Sequence, residues 1–203
     1  MVSLKKGPPK VHYYDQDFVD IYDKTWAWIR DFWRTGEAGS PFTKPFFLYP
    51  ESNILDLEGA CYSSFFLVYS NNVYPATATL DHFYSLQEEN GAIRSAYDIN
   101  TGKPVFSDDN PEGIAQPLLP WVEFNIYHKV GQKKRLKDVL EPLIKHYEWL
   151  ENNFKDDSGL YHVPLKATGL EMPCRNDAYY PVDFNAQMAA SALYMHAIGD
   201  VLN

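Results

Sequence analysis

A chain of 203 residues that is 45% apolar and 22% charged is long enough to bury a core without disulfide staples, and its balance excludes a disordered or fibrous chain. Eighteen basic against 27 acidic residues give a formal net charge of -9; nucleic acid and anionic membrane both require clustered cations, so neither is expected as a partner. The unusual figure is the aromatic content, 15 Tyr, 12 Phe and 5 Trp, since rings with polar edges suit stacking on sugars or flat ligands as well as ordinary packing.

Residues 15–33 read as a first helix, with Phe18, Tyr22, Trp26 or Thr25, Ile29 and Trp33 at steps of three to four and Gly36 as a stop. Prolines 41, 45 and 50 make 37–55 a long irregular connection. Residues 56–70 are apolar all round, which predicts a buried second helix. A third runs from Pro75 to about Glu89 and stops at Asn90-Gly91. Within 91–116, the turn Asn100-Thr101-Gly102 flanked by Tyr97, Val105 and Phe106 suggests a short hairpin. A fourth helix spans 117–130 and a fifth 133–154, with a kink or break expected at Pro142. After a third long connection at 156–180, a sixth helix starts near Pro181 or Val182 and runs to the chain end. The expectation is one all-α domain over 1–203, its long loops gathered at one end, where chemistry is sought.

No run of apolar residues is long enough for a membrane span, and no apolar stretch follows Lys5-Lys6 as a secretory signal requires. Cys61 and Cys174 lack neighbours at ligand spacing and read best as free thiols in a reducing compartment. A cytoplasmic protein is therefore expected. The six histidines show no metal spacing, and no cofactor-binding motif is present, so neither metal nor cofactor is expected.

Several residues are candidates for chemistry. Glu171, in Gly169-Leu170-Glu171-Met172-Pro173-Cys174-Arg175, reads as a general acid if its loop is semi-buried, or as a surface partner of Arg175. Asp56 and Glu58, at the mouth of the most apolar helix, suit ligand binding and helix capping equally. Glu123 follows Trp121 inside an apolar helix and Asp183 lies in the first turn of the last; each needs a partner from protein or substrate. Gln87 sits where a helix meets solvent.

Five stretches in order resemble the six-hairpin glycosidases, specifically the group containing trehalase, processing α-glucosidase and mannosylglycerate hydrolase. Gln87-Glu88-Glu89-Asn90-Gly91-Ala92-Ile93 is similar to that group's Gln-x-x-x-Gly-x-Ile. Gln116-Pro117-Leu118-Leu119-Pro120-Trp121 is similar to its Pro-Pro-x-x-x-Trp segment, followed by the stretch from Arg135 to Gly159-Leu160-Tyr161. Thr168-Gly169-Leu170-Glu171 with Arg175 resembles its Ser-Gly-Trp-Asp-x-x-x-Arg loop, and Val182-Asp183-Phe184-Asn185-Ala186-Gln187 its Val-Asp-Leu-Asn-x-Gln. The resemblance implies helical hairpins forming roughly half of an (α/α)6 toroid. It implies inverting hydrolysis of a small, α-linked glycoside, with two carboxylates about 6.5–9.5 Å apart. Glu171 takes the place of the acid, and Asp56, Glu58, Gln87, Trp121, Glu123, Arg175 and Asp183 line or brace the sugar pocket. The acid is Glu where the group uses Asp, and Leu57-Glu58 stands where it has Trp-Asp. The group's general base lies in the second half of its barrel, so this reading expects the base to be absent from this chain, supplied by a missing C-terminal half or replaced by pairing in a homodimer. The alternative is a non-catalytic carbohydrate-binding or assembly module derived from such an enzyme.

Overall fold

The computed structural model describes residues 7–169 and 180–203. Six α-helices occur among them: α1 (Gln16–Phe32), α2 (Leu57–Leu67), α3 (Ala78–Ser85), α4 (Leu119–Val130), α5 (Lys133–Phe154) and α6 (Val182–Leu202). Four short strands accompany the helices: β1 (Trp33–Arg34), β2 (Phe46–Phe47), β3 (Ile54–Asp56) and β4 (Ala96–Asp98). The strands form two antiparallel pairs, β1 with β2 and β3 with β4. The protein is thus a mixed α/β structure about 52% helical, and the expectation of an all-α chain built as half a helical toroid is corrected.

The strands are too short to show in the sequence pattern. In β3 only Leu55 is buried, between exposed Ile54 and Asp56, and it lies opposite Tyr97 of β4. A three-residue strand shows one alternation, too little to announce a period of two. Backbone bonds extend this pairing on both sides, Leu57 N–H to Ser95 O at 2.8 Å and Ile99 N–H to Asn53 O at 2.9 Å. The expected hairpin forms as well: Asp98 Oδ1 accepts from the backbone of Asn100 and Thr101, and Val105 N–H donates to Ala96 O.

The helices follow from capping and burial. Asp15 accepts from Asp17 N–H to start α1, and Gly131 closes α4 with φ 70 and an N–H bond to Tyr127 O. α1 stops one residue early because Trp33 enters β1. α6 packs on α4 and α5, and α4 on α2. Pro142 does not break α5. Proline removes the donor that would reach the carbonyl four residues back, and that residue, Asp138, is solvent-exposed, where water can take the donor's place.

The α3–β4 connection is clamped to α5. Gln87 Nε2 donates to Gly91 O and Pro142 O, both at 2.9 Å. Gly91 has φ 95, and a Cβ there would fall 2.4 Å from Lys145 O, so only glycine fits. His146 is 4% exposed and its Nδ1 accepts from Ile93 N–H at 3.2 Å, which places the ring proton on Nε2. Burial lowers its pKa from 6.5 to about 4. The unfolded chain therefore binds one more proton between those values. Stability is full above pH 6.5 and falls as pH drops towards 4, by roughly 3 kcal/mol in all. Denaturant titrations from pH 7 to 4 are expected to show this loss, and His146→Leu to flatten the pH slope by about one proton.

Candidate functional site

A cleft of about 280 Å³, with polar groups set among apolar ones, opens at the N-terminus of α2. Asp56 and Glu58 stand on one wall, Ser95, Phe106 and Ser107 of the hairpin region on another, and Gln116, Lys166 and Gly169 close it. The walls come from two of the long connections picked out in the sequence, 91–116 and 156–180, converging on the first turn of α2.

Each wall is fixed by its own local chemistry. Asp56 caps α2, its Oδ1 accepting from Gly59 N–H at 2.6 Å, so capping and cleft lining are the same residue's work. Glu58 follows two residues later. Burial raises its carboxyl pKa, the neighbouring Asp56 charge raises it further, and the Gln116 amide works in the opposite direction. The hairpin side is anchored by Arg94, 8% exposed, which makes two 2.6 Å bonds to Glu88 and one to Glu112 O. Its guanidinium lies over the Trp149 ring at 5.0 Å. Gln116 Oε1 accepts from Gln187 Nε2 of α6 at 3.0 Å, tying the cleft to that helix.

Gly169 sets the closest approach in the cleft. Its φ is 69, and a Cβ would meet Gln116 Nε2 at 2.0 Å and Glu58 Oε2 at 2.9 Å. Gly169→Ala is expected to cost about 1–2 kcal/mol through the left-handed backbone alone. It is also expected to displace both cleft side chains; a melting curve reads the first effect and ligand affinity the second.

Among the sequence candidates, Asp56 and Glu58 come together in this cleft. Trp121 lies in an adjoining cleft of about 320 Å³ with Tyr62, Gln187 and Tyr194, its ring 4.6 Å from that of Phe65. Glu123 faces the interior: it is 0% exposed and accepts from both Nε and Nη2 of Arg135, at 3.0 and 2.7 Å, and from Tyr84 OH. Arg135 also pairs with Asp81. Glu123 and Gln87 are therefore scaffold residues, and the partner each needs is protein. Asp183 lies in the first turn of α6. Glu171 and Arg175, with Cys174, fall outside the described residues. Gln116, Lys166, Ser95 and Ser107 are cleft residues that sequence reading passed over; for Gln116 the available signal was an amide directly before Pro117, at the mouth of an apolar helix.

Two carboxylates, an amide, serine hydroxyls, a lysine and one exposed ring give the cleft donors and acceptors that can hydrogen-bond a polar ligand, and the volume lies near the small end for ligand sites. A larger cavity of about 800 Å³ beside α1 is lined by apolar and aromatic groups, and its ionisable groups among the described residues are the phenols of Tyr22 and Tyr69; the carboxylates and the lysine stand in the smaller cleft. Among the described residues, no three His, Cys, Asp or Glu side chains gather as a metal site.

No family model matches the chain. It is 44% identical over 200 residues to an uncharacterized protein of Borreliella burgdorferi, covering 98% of this chain and 42% of that protein. The chain thus spans about two fifths of the length of the curated relative it matches. Its fold is similar to the crystal structure of an uncharacterized conserved protein from Thermus thermophilus, with a TM-score of 0.59 at 14% identity, over 89% of this chain and 57% of that one. No helix among the described residues is long and apolar enough to cross a membrane.

Proposed function

We propose that this chain carries the sugar-binding cleft and the acid of a glycoside hydrolase that acts on a small, α-linked glycoside by inversion. The observation that carries the reading is that Asp56 and Glu58 both line the cleft that Gly169 closes against Glu58. Two residues on in the sequence is Glu171. The ordered likeness to glycosidase sequences supports the same assignment. Asp56 and Glu58 bind sugar hydroxyls, with Gln116 and Lys166 beside them. Glu171 gives its proton to the leaving oxygen as the anomeric C–O bond breaks, while water, deprotonated by a second carboxylate, attacks from the opposite face. That second carboxylate is not assigned to a residue of this chain. We place the protein in the cytoplasm, with Cys61 a buried free thiol; burial raises its pKa and keeps it unreactive.

The test uses a nucleophile that needs no general base. The chain is incubated with α-glucosides and α-mannosides, with azide in place of activated water. The expected product is the glycosyl azide of inverted configuration, and Glu171→Gln is expected to abolish it for unactivated substrates. Saccharide binding with neither hydrolysis nor azide transfer would reduce the chain to a carbohydrate-binding module.

A further inference from the structure

We propose that the protein pairs with a second copy of itself through α1, the two helices antiparallel about a two-fold axis near Ile21. Phe18, Ile21, Thr25 and Trp28 recur at steps of three and four, a seam along one face of the helix. Three of them are large and point to solvent: Phe18 is 61% exposed, Ile21 61% and Trp28 64%. The fourth, Thr25, spends its hydroxyl on Ile21 O and leaves its methyl for packing. The same face borders the 800 Å³ apolar cavity, which Phe66 and Tyr69 of the α2 region wall on the far side. Soluble monomers rarely leave a contiguous apolar surface of this kind uncovered.

Charge selects the occupant and its direction. Asp17 and Lys24 flank the seam on its solvent side, seven residues apart and so on one face. Both are exposed, and neither forms an ion pair among the described residues, although lysines on α5 pair within their own helix. About 10 Å of helix rise keeps Asp17 and Lys24 apart in one chain. A parallel, in-register copy sets Asp17 on Asp17 and Lys24 on Lys24. An antiparallel copy centred near Ile21 sets Asp17 on the partner's Lys24, and does so twice by symmetry. In that register Ile21 meets the partner's Ile21 at the axis and Phe18 meets the partner's Thr25. Trp28 reaches the partner's Tyr14, which is 89% exposed here, its ring tilted against that of Tyr13 at 4.4 Å. Opposed helix dipoles favour the same direction.

Sedimentation equilibrium tests this on the full chain. The expected mass is twice the 23.4 kDa of one chain. Ile21→Glu, at an exposed position that leaves folding intact, is expected to weaken the dimer at least roughly a hundredfold. Lys24→Asp turns two attractive contacts repulsive and is expected to weaken it about tenfold. The swap Asp17→Lys with Lys24→Asp restores the opposite-sign contacts and is expected to recover affinity to within about threefold. A monomer at concentrations on the order of 100 µM overturns the proposal. So does a dimer that Ile21→Glu and Lys24→Asp leave unchanged, or a charge swap no better than Lys24→Asp alone.

Discussion

Arg135→Met is expected to cost about 3–5 kcal/mol of folding stability, because it strands a buried carboxylate. Glu123 is wholly inaccessible to solvent and draws two of its three hydrogen bonds from the Arg135 guanidinium. Burial works against the charge on Arg135, but the Glu123 bonds and charge override it and hold the guanidinium firmly protonated. With the arginine gone, Glu123 keeps only the Tyr84 hydroxyl, and Asp81 loses its partner too. Domains have about 5–15 kcal/mol in total, so the variant is expected to melt roughly 10 °C lower. The paired replacement Glu123→Leu with Arg135→Met removes both charges and is expected to cost much less than Arg135→Met alone. Urea titrations of the three proteins decide it; equal losses for the single and double variants would show that the pair is held by packing and not by charge.

Glu171→Gln carries the largest expected effect on activity. A general acid contributes about 10²–10⁴ in rate, and its contribution depends on how badly the leaving group needs a proton. An alkoxide or sugar leaving group needs one, so azide-supported cleavage of a methyl glycoside or disaccharide is expected to fall by about that factor. A fluoride or nitrophenolate leaves without one, so the same variant is expected to keep most of its rate on glycosyl fluorides. Binding is expected to stay nearly unchanged, since the amide retains the carboxyl's shape. A loss that is equal for good and poor leaving groups would assign Glu171 to binding and not to proton transfer.

The helices were legible because their periods are long enough to read. α5 begins and ends where its apolar stripe and flanking turns place it, and α4 falls inside its expected span. The strands were not, because β1 to β4 hold two or three residues each and are specified by partners far away in the chain, such as Ile54 with Asp98. The site divides along the same line. Asp56 and Glu58 were visible because a carboxylate before a buried helix is a local signal. Glu123 was visible as a polar residue in an apolar helix, but not its purpose, since the answer sits on Arg135 of the next helix. Gln87 looked like a solvated helix end, and its partners lie on Gly91 and, across the structure, Pro142 of α5. Sequence spacing shows which groups require a partner; only the assembled fold shows whether protein or ligand supplies it.

The claim that the cleft at the start of α2 holds a sugar is tested most directly by melting the protein with and without saccharides, since a ligand that binds only the folded state raises the melting temperature. Wild type is expected to be stabilised by a small α-glycoside. Glu171→Gln is expected to show the same shift, and Glu58→Gln, which replaces a charged acceptor on the cleft wall, to lose tenfold or more in affinity, equivalent to about 1.5 kcal/mol. A saccharide response that Glu58→Gln leaves intact, or no response to any α-glycoside, would contradict the account.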